Sequence, residues 1–152
     1  MEPDLEVVQI RRGESFTAWA HGYPYRTVRW HFHPEYELHL VVATTGRYFV
    51  GDFIGEFEPG NLVLTGPNLP HNWVSDLAEG ETVALRSRIP QWSERFIDAP
   101  LSALPELGAV APLPDPSRPC APVPPVSARA AWPLQHEITT AHVLPLPVLL
   151  LP

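Results

Sequence analysis

Residues 30–40 read WHFHPEYELHL and place three histidines and two glutamates inside what otherwise looks like the start of a β-strand. Side chains two residues apart on a strand point to the same face of the sheet. His31, His33 and Glu37 therefore share one face, although Pro34 cannot donate to the ladder and is expected to interrupt the strand. The stretch thus predicts two imidazoles and a carboxylate converging on one side of a sheet.

Such a group of ionisable side chains needs a partner. Burying unpaired ionisable groups costs about several kcal/mol, and a metal ion is one of the few partners that satisfies neutral imidazoles and a carboxylate together. Two histidines and one carboxylate also leave coordination positions open. A fourth candidate ligand, His71, follows a turn rich in glycine, proline and asparagine within FEPGNLVLTGPNLPHNW, residues 57–73.

The surrounding sequence consists of short segments rich in valine, phenylalanine, tyrosine and threonine, separated by glycine and proline turn signals. This spacing predicts an all-β sandwich or barrel. The predicted strands are LEVVQI (5–10), SFTAWAH (15–21), YELHLVVAT (36–44), RYFVGDFIGEF (47–57), NLVLTG (61–66) and ETVALRSRI (81–89).

The pattern changes after Pro90. Apolar residues at helical spacing in residues 91–111 predict two short helices separated by a break at Pro100. From residue 112 to residue 152 the chain is rich in proline and has no periodicity, so we expect an irregular tail.

Length and charge restrict the class of protein. A chain of 152 residues suits one ordinary domain. The net charge is −7 and no run of arginines occurs, so we expect no nucleic-acid binding by this chain alone. Neither a signal peptide nor a membrane span is recognisable, which predicts a cytoplasmic protein without membrane contact. The single cysteine, Cys120, cannot form an internal disulfide.

Two separated motifs carry a family resemblance. HFHPEYE (31–37), followed by FEPGNLVLTGPNLPHNW, resembles the two motifs of the cupin superfamily. The resemblance implies an all-β fold, a cupin double-stranded β-helix or jelly-roll barrel over residues 1–90, with short helices and the proline-rich tail after it. It also implies a divalent metal ion, with zinc, iron, manganese and nickel as candidates. The implied ligands are His31, His33, Glu37 and His71.

A longer stretch of the sequence carries a more specific resemblance. WHFHPEYELHLV (30–41) together with VGDFIGEFEPGNLVLTGPNLPHNW (50–73) resembles the N-terminal sensing domain of AraC-type transcriptional regulators, over about residues 5 to 110. This resemblance implies a role in transcription regulation, with a small-molecule effector, either a sugar or a small organic acid, bound inside the barrel. It also implies that the helical segment 91–111 helps to form a homodimer.

Three further residues are candidates for effector binding. Trp73 and Tyr48 lie close in sequence to the predicted ligands, and aromatic walls are typical of small-molecule pockets. Core packing explains both residues as well, with pocket and core evenly matched for Trp73 and core favoured for Tyr48. His39 has the parity of the ligands but lies beyond the usual set, so we expect it to support a ligand or the core rather than to bind metal directly.

The function has more than one interpretation. An AraC-type regulator continues into helix-turn-helix units, whereas residues 112–152 contain too much proline for them. One hypothesis is therefore an effector-sensing domain truncated before its DNA-binding domain, with a frameshift near Pro114 as the source of the tail. A metal-dependent cupin dioxygenase or isomerase is the alternative, and a protein that only captures a metabolite is a third. We favour the sensor, because no further catalytic acid or base is recognisable.

Overall fold

The residues that the structure describes form ten β-strands, most of them in segments rich in valine and aromatic residues. The computed structural model describes residues 2–25, 29–96 and 120–122. The strands are β1 (Asp4–Leu5), β2 (Phe16–Tyr23), β3 (His31–Phe32), β4 (Tyr36–Val41), β5 (Gly46–Val50), β6 (Phe53–Phe57), β7 (Leu62–Thr65), β8 (His71–Ser75), β9 (Val83–Trp92) and β10 (Cys120–Pro122). Within these residues no helix has the length and apolarity needed to cross a bilayer.

The strands form two five-stranded sheets. One sheet has the order β1-β3-β8-β5-β6, and the other has the order β10-β7-β4-β9-β2. All neighbours are antiparallel except β1 and β3. Consecutive strands therefore alternate between the sheets several times, as in a jelly roll. The predicted all-β cupin barrel is confirmed.

Both sheets contribute to one apolar core. Its buried members come from β4, β5, β6, β7 and β8 and are Val41, Tyr48, Val50, Phe57, Val63 and Trp73. Burial of such side chains contributes about 1.5–3 kcal/mol each relative to exposure. This core fixes the distance between the sheets and so the space in which polar side chains can meet.

Strand register brings the two histidine motifs together. β3 pairs with β8 so that His31 lies opposite His71. β4 lies between β7 and β9, with Glu37 opposite Thr65 on one side and Gln91 on the other. Residues 40 positions apart in the chain thereby become neighbours at one place in the barrel.

Several predicted elements differ from the structure. The strand predicted at 47–57 is two paired strands, β5 and β6, and β8 was not predicted. The strand predicted at 5–10 is reduced to β1, because its partner β3 is only two residues long before Pro34. β9 continues through Trp92, so Gln91 and Trp92 are strand residues and not the start of a helix. Residues 94–96 are helical, and the rest of the predicted helical segment, 97–111, lies outside the described residues.

A further difference concerns residues 112–152, the segment predicted to be irregular. Cys120–Pro122 forms β10, which pairs antiparallel with β7. β10 lies at the edge of its sheet, a position where proline is tolerated because its missing N–H need not pair.

Candidate metal centre

The four predicted ligands meet between the two sheets. His31 lies on β3, His33 follows that strand directly, Glu37 lies on β4 and His71 is the first residue of β8. Each offers one ligand atom, and all four atoms lie within 4.8 Å of one another. His33, Glu37 and His71 are buried, and His31 is partly buried.

Backbone carbonyls fix the orientation of all three imidazoles. The Nδ1 atom lies 2.7 Å from the Arg29 carbonyl in His31, 3.1 Å from the Glu35 carbonyl in His33 and 2.7 Å from the Leu69 carbonyl in His71. A carbonyl oxygen can only accept, so each Nδ1 carries a proton and donates it. In the neutral rings, every Nε2 then presents a lone pair.

Two of these lone pairs face the Glu37 carboxylate, whereas His31 Nε2 lies 3.7 Å from Glu6 Oε2. His33 Nε2 lies 3.2 Å from Glu37 Oε2, and His71 Nε2 lies 3.7 Å from the same oxygen. His71 Nε2 is buried and has no hydrogen-bond partner among the described residues. Two acceptors that face each other at such distances need a proton or a cation between them.

The donor set fits a divalent metal ion. Imidazole and carboxylate are ordinary ligands of zinc, iron, manganese and nickel. Nitrogen ligands lie about 2.1 Å from zinc, so two ligands on opposite sides of one ion are separated by roughly 4.2 Å. The four ligand atoms lie within 4.8 Å of one another. Only a small contraction of the site would therefore bring them to the distances of a bound ion. The buried Nε2 of His71 is the atom that such an ion would satisfy.

An outer layer of hydrogen bonds holds Glu37 in place. His39 Nδ1 donates to Glu37 Oε1 at 2.9 Å, and His39 Nε2 accepts from Ser87 Oγ at 2.8 Å. Gln91 Nε2 donates to Glu37 Oε2 at 2.9 Å, while Gln91 Oε1 accepts from Trp19 Nε1 at 3.1 Å. Each partner is itself fixed, which is typical of the residues that orient metal ligands.

The electrostatics keep Glu37 ionised. Burial alone would raise the pKa of Glu37, but the electrostatic interaction with the His71 imidazole and the hydrogen bonds with His33 and His39 outweigh it and hold the pKa well below its usual range. Burial also opposes a proton on His33, yet the hydrogen bond and charge of Glu37 raise the pKa of His33 overall. A proton on His33 Nε2 therefore competes with a metal ion for the same lone pair.

His39 and His31 have lowered pKa values and so stay neutral more readily than His33. Burial lowers the pKa of His39 to about 4, despite its hydrogen bond to Glu37. Burial and the neighbouring His71 lower the pKa of His31. At neutral pH, His39 is thus an uncharged donor to the Glu37 carboxylate.

A small cavity adjoins two of the four residues, His31 and Glu37. Its volume is about 30 Å³, and His39 and Trp73 also line it. Trp19, His21 and Tyr25 form an aromatic group in its wall, with ring centroids 4.7 to 5.6 Å apart. The side chain of Tyr25 is exposed and marks the outer end.

The residues predicted for effector binding occupy different positions. Trp73 is both a core residue and a cavity wall, and its ring stacks on His39 with centroids 4.0 Å apart. Tyr48 lies in the core, where it packs against Trp73 at 6.0 Å, and is not among the described residues that line the cavity. His39 lines the cavity and supports Glu37, as expected of an outer partner.

Sequence reasoning missed Gln91, Ser87 and Arg86 at the site. The sequence predicts Gln91 in a helix. In the structure, Ser87, Ile89 and Gln91 occupy every second position of β9, and all three face the barrel interior. Extending the strand by two residues would have revealed this alternation. Arg86 has no such signal, because it lies out of phase with that series.

Comparison with known proteins agrees with the fold. Residues 15–89 match the AraC-like ligand binding domain family. The structure resembles ToxT from Vibrio cholerae with 10% identity and a TM-score of 0.55, covering 87% of this chain and 50% of ToxT. It also resembles a Cupin 2 conserved barrel domain protein from Salinispora arenicola, with 17% identity and a TM-score of 0.38, over 64% of this chain and 97% of that one.

No curated protein sequence matches the chain. The chain spans about half the length of ToxT, and at 10% identity that likeness concerns the fold alone. The family match covers the strands from the start of β2 almost to the end of β9, including all four clustered residues. Residues 15–89 therefore belong to the AraC-like ligand-binding domain family and form a cupin barrel.

Proposed function

We propose that the barrel senses a small molecule and holds a divalent metal ion on His31, His33, Glu37 and His71. One observation carries the proposal. Three imidazoles have their Nδ1–H groups committed to backbone carbonyls, so three Nε2 atoms and one carboxylate meet within 4.8 Å. A cation is the simplest partner for four converging acceptors in a buried place.

The identity of the ion determines what the site can do. Four protein ligands complete a tetrahedral zinc site, and such a site would stabilise the fold. An ion that prefers six ligands would keep two positions for water or an oxygen atom of the effector. When bound, such an ion supplies a Lewis acid that polarises that oxygen. The cavity beside Glu37 is the described space into which the effector would extend.

The biological setting is part of the same proposal. The family match supports a domain that binds a small molecule. A sugar or a small organic acid as effector is what the resemblance to AraC-type sensing domains implies. We propose that the chain acts in the cytoplasm as the effector-binding part of a transcription regulator and that residues 91–111 contribute to a homodimer. These statements rest on the family resemblance.

A metal-dependent cupin enzyme is the second candidate. The same four ligands favour it, because an ion with two open positions can bind substrate or dioxygen. His39 donates to Glu37 and Gln91 is an amide, but Glu6 lines the cavity and its buried Oε2 has no hydrogen-bond partner among the described residues, so a candidate acid or base is present. The match to a ligand binding domain family makes the sensor the better supported function.

A thermal-shift screen separates the two functions. Protein stripped with a chelator is supplied with Zn²⁺, Mn²⁺, Fe²⁺ or Ni²⁺ and then with sugars and small organic acids. The sensor predicts that a metal and an effector each raise the melting temperature without consumption of the compound, because both bind only the folded state. Consumption of oxygen or conversion of the compound would favour the enzyme. The absence of any metal-dependent shift would contradict the metal-containing sensor.

A further inference from the structure

Arg86 is a buried cation for which the described residues provide no carboxylate partner. Its relative exposure is 1%, and among the described residues no carboxylate lies within 4.0 Å of its guanidinium. Nη1 donates to the Trp73 carbonyl at 3.2 Å, and Nε–H has no acceptor in the described part of the chain. Burial of a charge without a partner is costly, so the position calls for an explanation.

A distortion of β9 places Arg86 inside. The pairing of β2 and β9 runs in step from Phe16 to His21, which lies opposite Ser87, but Tyr23 then lies opposite Val83. β9 therefore contains two extra residues at this point, a bulge that changes the direction of side chains. With regular alternation, the side chains of Arg86 and Ser87 would lie on opposite faces of the sheet, yet both are buried.

The immediate surroundings stabilise the guanidinium only in part. Its central carbon lies 5.1 Å from the centre of the Tyr23 ring and 6.0 Å from that of Phe57. Cation–π contacts contribute about 0.5–2 kcal/mol, which is less than the desolvation of a charge. Burial lowers the pKa of Arg86 to about 10, so the group stays charged at neutral pH.

Arg86 lines the same cavity as Glu37 and His39. Trp73 lines it as well, and its buried Nε1–H has no acceptor among the described residues. A volume of about 30 Å³ has room for a group of the size of one water molecule or a carboxylate head. The cavity therefore combines a buried guanidinium, an unused N–H donor and an aromatic outer end.

The charges around the cavity favour an anion once the metal is bound. Glu37 and Glu6 line it with two negative charges, while Arg86 and a divalent ion supply three positive charges. One negative charge is needed for neutrality. A planar carboxylate also matches the paired N–H donors of a guanidinium.

We propose that this cavity binds a small organic carboxylate whose carboxylate group pairs with Arg86 and whose body packs against Trp19 and Tyr25. The inference deepens the proposed sensor function by choosing organic acids over sugars, and it rests on that function. Benzoate and benzamide are suitable probes, since they have nearly the same shape and differ in charge.

The first test uses the unaltered protein. Benzoate and benzamide are titrated by calorimetry into protein loaded with Zn²⁺, and the metal content of each sample is measured by elemental analysis. We expect benzoate to bind at least about tenfold more tightly than benzamide. Equal affinity for the two compounds, or no binding of benzoate to the metal-loaded protein, would overturn the proposal.

The second test asks whether Arg86 or the metal holds the carboxylate. Arg86→Met and Arg86→Lys should weaken benzoate binding by at least about tenfold without loss of bound zinc, because Arg86 is not a ligand. Arg88→Met, two residues along β9, is the matched control and should bind benzoate like the parent. Undiminished benzoate binding by both Arg86 variants would overturn the proposal and assign the carboxylate to the metal.

The two proposals fail separately. If the parent binds no zinc but prefers benzoate through Arg86, the carboxylate site stands and the metal assignment falls. If zinc binds and benzoate does not, the metal assignment stands and the carboxylate site falls. Should Arg86→Met not fold, circular dichroism will show it, and Arg86→Lys together with the comparison of benzoate and benzamide decides the question.

Discussion

Glu37 is the residue on which the whole site depends. One carboxylate oxygen accepts from His39, and the other accepts from Gln91 and faces the Nε2 atoms of His33 and His71. The two outer donors leave the second oxygen directed at the imidazoles. A metal ion at that point would share Glu37 Oε2 with three nitrogen ligands, which explains why a buried carboxylate is retained inside an apolar barrel.

His39 leads to a prediction about pH. Its pKa in the folded protein is about 4, below the ordinary 6.5, so the unfolded chain binds a proton that the folded chain does not. Metal-free parent protein should therefore lose about 3 kcal/mol of unfolding free energy from this group as the pH falls from 6.5 to about 4. His39→Phe keeps an aromatic ring against Trp73 and removes the titrating group.

The measurement is urea unfolding at several pH values in the presence of a chelator. Since the variant also loses two hydrogen bonds, the slope of stability against pH is compared and not its absolute value. The parent should show the steeper slope between pH 6.5 and 4. Parallel curves for parent and His39→Phe would show that His39 does not titrate as its burial requires.

At the scale of strands, the sequence predicted β4 and β9, but none of the six predicted strands corresponds to β3 or β8, which carry His31 and His71. Period-two reasoning placed His31, His33 and Glu37 together, although His33 lies outside β3 and Pro34 separates it from β4. His71 could not be placed by local pattern, because its proximity depends on the pairing of β3 with β8. The sequence offered it as one candidate after a turn, and the family resemblance placed it among the four ligands.

Arg86 shows what sequence pattern could not reveal. The bulge in β9 depends on how β2 and β9 approach each other over residues far apart in the chain. Glycine at position 22 permits this approach, since a Cβ there would lie 2.2 Å from the Val83 carbonyl oxygen and 2.9 Å from that of Ala84. No local signal in the sequence marks a contact of this kind.

That contact predicts the effect of Gly22→Ala. The added methyl group would meet backbone atoms that cannot move independently of the β2–β9 ladder. We expect a loss of about 1–3 kcal/mol in unfolding free energy, measured by urea denaturation. Gly66→Ala is the control, because its nearest neighbour is the Leu69 side chain at 3.5 Å. The control should be unchanged or stabilised by about 0.4–1 kcal/mol. Equal stability of the two variants would contradict a close approach at the bulge.

At the scale of the whole molecule, the barrel was predicted correctly and the assembly remains a prediction. Trp92 is buried in β9 and Phe96 packs against the same cluster, so the prediction rests on the apolar residues at helical spacing in 97–111, outside the described residues. On a barrel of this size they would be exposed, which favours burial in a homodimer. Sedimentation equilibrium should give the mass of a dimer, and Leu104→Glu should shift it towards the monomer. A monomeric parent at high micromolar concentration would contradict the prediction.

The metal content of the purified protein tests the central claim most directly. After chelation, supply of Zn²⁺ or Mn²⁺ and desalting, elemental analysis should find about one ion per chain in the parent. His33→Ala should lose the ion and the stabilisation it provides, about 2.7 kcal/mol at a metal concentration 100 times the Kd, whereas His39→Phe should keep the ion with lower affinity. A parent without metal, or a His33→Ala protein with the metal content and melting temperature of the parent, would contradict the account and leave His31, His33, Glu37 and His71 as a polar pocket that hydrogen-bonds an effector.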